Sequence, residues 1–230
     1  MKTIGLIGGT SWVSSREYYR IINEEIANRL GGLNSAKCIL YSINLAEYYE
    51  MKKSGSERDA FSLFLHAASS LINAGADCIL ICSNMGHFYA DELESIIEIP
   101  LIHIAAVTAE KIISQNIFKV GLLGTKFTME QDFYRAKLNE TGIETVIPDQ
   151  NDRDFIDNTI FNGLGKGIIS LNAKKQFLEI INKLENQGIQ GIVLGCTEIP
   201  LLISQEDTDV ILFDTLLIHS KAAVDFALAD

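Results

Sequence analysis

Short apolar runs alternate along this chain with longer amphipathic segments. Residues 2–7 form an apolar run that ends in Gly8-Gly9, the pattern of a buried strand entering a turn. The spacing then predicts a helix over 14–30. Ser14 and Glu17 have capping-box spacing, Tyr18, Ile22, Ile26 and Leu30 fall on one stripe, and Gly31-Gly32 stop it. Further strands are predicted at 37–43, 77–82, 101–104, 119–123, 145–147, 189–194 and 209–213. Helices are predicted at 57–74, 90–97, 105–114, 130–139, 155–162, 172–186 and 215–228. The run at 77–82 is too continuous for a half-exposed strand and belongs inside a parallel sheet. Strand-helix alternation of this kind gives an α/β fold, with parallel sheets flanked by helices.

The chain repeats itself. Ile4-Gly5-Leu6-Ile7-Gly8-Gly9-Thr10 returns as Val120-Gly121-Leu122-Leu123-Gly124-Thr125, and Tyr19-Arg20 returns as Tyr134-Arg135. The stretch from Gly75 to Ser83 returns from Gly188 to Cys196, which sets Ser83 against Cys196. Two similar lobes follow, with boundaries predicted at 1–103 plus 215–230 for one and 104–214 for the other. A pseudo-dyad between them would put the active site between the lobes, beyond the carboxyl ends of the strands. There each lobe offers polar turns: Thr10-Ser11 and Ser83-Asn84 in one, Thr125 and Cys196-Thr197 in the other.

Composition narrows the function classes. Hydrophobic residues make up 47% and charged residues 21% of the 230, which suits a globular protein and excludes disorder and coiled coil. The net charge is −11, and no basic cluster exceeds two residues, so nucleic acid and anionic membrane surfaces are poor partners. No apolar run reaches a membrane span. Cys38, Cys78, Cys82 and Cys196 show no CxxC spacing, and nothing resembles a signal peptide; free thiols in a reducing cytoplasm are expected. The glycine turns are neither GxGxxG nor a phosphate-binding loop. Cys78, Cys82 and His87 do not make a metal set, because strand alternation puts donors in an apolar layer.

Four segments resemble the aspartate/glutamate racemase family, in particular its aspartate-racemase and broad-specificity branch. They are Gly195-Cys196-Thr197-Glu198-Ile199-Pro200, Ser83-Asn84-Met85-Gly86-His87, Ile7-Gly8-Gly9-Thr10-Ser11-Trp12 and Gly124-Thr125-Lys126-Phe127-Thr128-Met129. Ile218-His219 extends the likeness into the last helix. The resemblance implies a racemase or epimerase without cofactor, acting on aspartate, glutamate or another amino acid, and a homodimer. It implies two proton carriers, one for each face of the α-carbon. The second falls on Cys196; the first falls on Ser83, where the family's usual cysteine is replaced by a hydroxyl. Asn84 and Thr197 resemble contacts to the α-carboxylate and amino group, and Thr10, Ser11 and Thr125 would line the same floor. Lys126 and Lys166 are cationic candidates for a ligand carboxylate, Lys166 being the one placed in the site. Other readings are a small-dicarboxylate isomerase or decarboxylase of the same superfamily, and a non-catalytic binder of such acids.

The chemistry sets requirements. A free thiol ionises near pH 8.5, and backbone N–H groups in the turn after Cys196 are expected to favour its thiolate. Ser83 can give a proton to a carbanion but is a poor base; His87, four residues on, is the nearest candidate partner. Cys38, Cys78 and Cys82 read as core, His66 as a surface or packing residue, and His103 and His219 as candidates for a supporting role.

Overall fold

A computed structural model of the chain describes residues 1–229. Seven strands and ten α-helices follow one another: β1 Ile4–Gly8, α1 Trp12–Leu30, β2 Cys38–Ser42, α2 Leu45–Lys53, α3 Glu57–Asn73, β3 Cys78–Ile81, α4 Ala90–Glu94, α5 Ile104–Ile113, β4 Lys119–Gly124, α6 Lys126–Glu130, α7 Asp132–Asn139, β5 Glu144–Val146, α8 Gln150–Asn162, α9 Leu171–Glu185, β6 Gly191–Gly195, β7 Ile211–Asp214 and α10 Thr215–Leu228. The fold is α/β with two all-parallel sheets, ordered β2-β1-β3 and β5-β4-β6-β7. Met1–Ile104 and the chain from His219 onward form one compact unit; Ala105–Ile218 form the other.

Strand register shows how deep the repeat runs. The pair Ile4↔Cys78 in the first sheet returns as Val120↔Gly191 in the second, offsets of 116 and 113. The first sheet's fourth strand is reduced to one bridge, Ile79↔Leu101, where the second sheet has β7. The strand predicted at 101–104 is therefore not formed. Pro100 has no N–H to give a ladder, and α5 starts at Ile104. α5 follows that bridge as α10 follows β7. Most of α5 belongs to the second unit and most of α10 to the first, so the two equivalent helices are exchanged along the chain.

Both faces of the strands are covered, which is why they read as unbroken apolar runs. In the first unit Ile7, Ile79 and Ile81 join a core with Phe64, Ala67 and Leu71 of α3, while the alternate residues Leu6 and Leu80 are buried on the other face. Phe64 is fully buried and packs against Tyr89 and Tyr48 at ring distances of 5.1 and 5.9 Å. In the second unit β4 and β6 are buried, under a stripe of Phe177, Ile180, Ile181 and Leu184 on α9.

Several local expectations are corrected. α1 begins at Trp12, two residues early, because its cap is Ser11, whose Oγ accepts from Ser14 N. The Ser14–Glu17 box does not form. Ser14 Oγ donates instead to the Cys82 carbonyl (3.0 Å), and Glu17 pairs with Arg16 and Arg20. Leu30 is exposed, so the buried stripe ends at Ile26. The helix predicted at 130–139 is two, α6 and α7, broken at Gln131 by its extended backbone. That at 155–162 starts at Gln150, capped by Asp149. That at 90–97 shrinks to α4, preceded by a 3-10 turn, Met85–Tyr89. α2 was not predicted; Asn44 caps it and also donates to Glu47.

Candidate active site

The turns that follow β1 and β3 lie side by side, since those strands are paired neighbours. Gly9 makes the first turn possible. Its φ is +91°, and a Cβ there would stand 1.9 Å from the Ile43 carbonyl. Two residues, Gly9 and Thr10, separate β1 from the cap of α1, whereas Thr125 follows β4 directly and is itself the cap of α6. The repeated threonines thus have different jobs. Thr125 accepts from Thr128 N, while the Thr10 hydroxyl is buried and has no hydrogen-bond partner.

Ser83 is half-buried beyond the end of β3. Its Oγ accepts from Gly86 N (3.2 Å), and its carbonyl meets His87 Nδ1 at 2.7 Å. Ile104 N donates to His87 Nε2 at 3.1 Å. An amide can only donate, so Nε2 carries the lone pair and Nδ1 carries the hydrogen. His87 is therefore a neutral Nδ1–H ring with both nitrogens engaged on backbone. Burial, with His103 and His219 beside it, holds its pKa well below the usual histidine value. It is not the base for the Ser83 hydroxyl.

His219 is locked in the opposite tautomer. Its Nε2 meets the Ile102 carbonyl at 2.6 Å and so donates, and its Nδ1 accepts from the Tyr18 hydroxyl at 2.8 Å. Burial pushes its pKa down to about 3. The His87 ring stands 4.8 Å from His103 and 5.4 Å from His219. These three histidines come from the β3 turn, the Leu101 bridge and α10, places that only the topology joins. His66 is exposed and packs edge-on to Tyr41.

In the second unit Cys196 follows β6 next to the end of β4, the pair Gly124↔Gly195 bringing Thr125 alongside. Cys196 is 8% exposed and its thiol donates to Glu198 Oε2 at 3.0 Å. Thr197 Oγ1 donates to the same oxygen at 2.8 Å. Glu198 is buried, and sequence reasoning gave it no role although it stands in the motif. Asp157 of α8, holding Lys126 N at 2.7 Å, adds a second negative charge nearby. The thiol's pKa is consequently well above its ordinary value. Burial is the first cause, and the Glu198 charge and hydrogen bond follow. This corrects the expectation of a turn that favours thiolate. The Glu198 backbone N–H does pull the other way, but burial and the carboxylate outweigh it. At rest Cys196 is a thiol beside a proton acceptor.

Of the remaining predicted residues, Asn84 is buried and Ser11 is the α1 cap. Lys166 is exposed, with its ammonium on Asn162, and no hydrogen bond or ion pair among the described residues joins it to Thr125, Cys196 or Thr197. Lys126 pairs with Asp154. Cys78 and Cys82 are buried in β3 and at its end, with their thiols pushed up by burial; Cys38 is partly buried. Among the described residues no group of three His, Cys, Asp or Glu side chains could hold a metal ion, and no helix is long and apolar enough to cross a membrane.

Residues 7–223 match the family model described as Asp/Glu/Hydantoin racemase. A candidate Asp/Glu racemase from Yersinia pestis has a crystal structure that is 47% identical and superposes with a TM-score of 0.95, each chain covered completely. An aspartate racemase homologue from Pyrococcus horikoshii OT3 is 34% identical with a TM-score of 0.87, again over both whole chains. A broad specificity amino-acid racemase of Bacillus subtilis (strain 168) is 21% identical over 82% of this chain and 78% of its own. The chain spans about half the length of the glutamate racemases it matches.

Proposed function

We propose a function from one premise: the chain belongs to the Asp/Glu/hydantoin racemase family. It is an isomerase that inverts the α-carbon of a small amino acid, aspartate, glutamate or another, without a cofactor. The observation that carries this reading is the Cys196 thiol donating to the buried Glu198 carboxylate.

In this reading the thiol proton passes to Glu198 as substrate binds, so the buried pair keeps its single negative charge. The thiolate takes the α-proton of the L enantiomer, and the electron pair delocalises into the α-carboxylate. Ser83 gives its hydroxyl proton to the other face. The resulting alkoxide is reprotonated through solvent with the proton held on Glu198, which closes the cycle. Thr10, with its unpartnered buried hydroxyl, Ser11, Asn84, Thr125 and Thr197 bind the α-carboxylate and amino groups, and Lys166 remains the candidate for a side-chain carboxylate. We also propose a homodimer working in the reducing cytoplasm, where its four free cysteines stay reduced. Sedimentation at micromolar protein tests the dimer, and a monomeric mass contradicts it.

The function is tested by incubating a panel of amino acids with the protein in heavy water and following the α-proton by NMR. At least one amino acid should exchange and invert, and dialysis against chelator should leave its rate unchanged. No exchange with any amino acid, or release of CO2 or conversion of maleate to fumarate instead, sinks the reading.

A further inference from the structure

The steps above leave the histidine cluster of the first unit unused, although it is built around the Ser83 turn. After β3 the chain enters a 3-10 turn in which His87 N donates to the Asn84 carbonyl at 3.1 Å. That leaves the Ser83 carbonyl without a backbone donor, and the His87 ring supplies one at 2.7 Å. The other edge of the ring takes the first amide of α5, Ile104 N, which has no carbonyl one turn earlier in its own helix to accept it. One imidazole therefore serves two backbone groups that two separate turns leave over. The ring cannot swing. It is buried, with His103 and His219 packed beside it, and His219 is itself held by Tyr18 and the Ile102 carbonyl.

We propose that His87 is a positioning residue for Ser83: the N–H of its neutral, buried ring holds the Ser83 carbonyl, and that bond fixes the turn from which the Ser83 hydroxyl delivers its proton, while the Ile104 bond on the other nitrogen seats the ring. This rests on the assignment of Ser83 and Cys196 made above. Gly86 N already donates to the Ser83 oxygen, so the hydroxyl hydrogen is free for another acceptor, and the turn sets where that oxygen stands. A ring whose pKa lies well below the usual value stays neutral at working pH, and its influence on Ser83 is geometric and not acid-base. A displacement of a fraction of an ångström in a proton donor is enough to slow transfer.

Two variants separate the two arms of the ring. His87→Asn puts an amide N–H close to the place of Nδ1 and keeps the Ser83 bond; His87→Gln puts a carbonyl oxygen close to the place of Nε2 and keeps the Ile104 bond. Each leaves one buried backbone group unpaired, so what is read is the ratio of α-proton exchange to inversion for an L substrate in heavy water, on the folded fraction. In His87→Gln inversion should fall about tenfold while exchange, carried by Cys196, changes less than about threefold; in His87→Asn the ratio should stay within about threefold of wild type. A ratio unmoved in His87→Gln, or moved equally in His87→Asn, overturns the proposal. A second measurement needs no variant. In wild-type protein with 15N-labelled histidine, His87 should show a protonated Nδ1 and a bare Nε2 at pH 7, and a cationic or Nε2–H ring overturns it. If wild type exchanges and inverts no amino acid, the assignment above falls and this falls with it; if wild type inverts and the ratio does not move, this falls alone.

Discussion

In the first unit the residue just beyond β3, Ser83, is tied to a neutral imidazole; in the second, Cys196 at the matching place beyond β6 is tied to a carboxylate. The strands beneath them are in the same register, and the same parallel pairing carries both turns. What differs is what each turn does with a proton. Beside Cys196 stands an acceptor, Glu198, which a base needs. Beside Ser83 the ring gives its only N–H to the backbone and takes a backbone N–H on its other nitrogen, so it has no free lone pair with which to ionise the hydroxyl. The fold repeats the scaffold in both units but not its polar surroundings; in the reaction proposed above, one unit supplies a base with its acceptor and the other a rigidly held donor.

The largest way to break this comparison is Cys196→Ala. We expect loss of both exchange and inversion, at least about a thousandfold, because the thiol proposed to take the α-proton is gone. Ser83→Ala should lower inversion far more than exchange. Normal turnover in Cys196→Ala would show the assignment to be wrong.

Glu198→Gln should cost roughly a hundredfold at pH 7 in both readouts, as expected for removing a proton acceptor while keeping a partner in place. The sign of its pH dependence is informative. Deleting the carboxylate removes one cause of the raised thiol pKa, so Cys196 ionises more readily by itself. Activity of the variant should then rise with pH more steeply than in wild type, and alkylation of Cys196 should be faster than in wild type. Unchanged alkylation would mean that Glu198 does not govern the thiol.

Smaller effects test the two frames. Gly9→Ala should cost roughly 2–4 kcal/mol, because φ is +91° and the new Cβ would strike the Ile43 carbonyl. Gly142→Ala, at φ +79° with open space around it, should cost only about 1 kcal/mol. Urea midpoints measure both, and equal costs would mean that the tight approach at Gly9 relaxes. The histidine cluster gives the last effect. His219 titrates near pH 3 in the folded chain and near 6.5 unfolded. Between those values the unfolded chain binds more protons, so its contribution is complete above about pH 6.5 and is lost as pH falls toward 3. The slope is at most about 1.4 kcal/mol per pH unit for each such histidine. His219→Gln should flatten the urea-midpoint profile in that window.

Much of this was legible in the sequence, because apolar runs and their offsets follow directly from parallel strands buried on both faces. The repeat pointed to Ser83 and Cys196 as counterparts, and the matching registers carry them to the ends of equivalent strands. What stayed hidden depends on where a polar side chain turns. Ser14 and Glu17 have the spacing of a cap, but the Ser14 hydroxyl is drawn to the Cys82 carbonyl, 68 positions away in the chain. Asn44 and Glu47 did mark the start of α2, in a segment too polar and aromatic to show a clear stripe. Glu198 stood in plain sight two residues after Cys196, yet its burial, which makes it consequential for the thiol, is set by the packing around β6. The tautomers of His87 and His219 depend on backbone groups at Ile104 and Ile102, which no local pattern brings near them.

The most direct test of the one-sided site compares exchange with inversion for the same L amino acid in heavy water, in wild type and in Ser83→Cys. Wild type should exchange its α-proton faster than it inverts, because Cys196 can return a solvent-derived proton to the face it came from while the Ser83 side is slow. Ser83→Cys should raise inversion more than exchange and bring the two rates together. Equal rates of exchange and inversion in wild type, or a Ser83→Cys variant that leaves their ratio unchanged, would contradict the account.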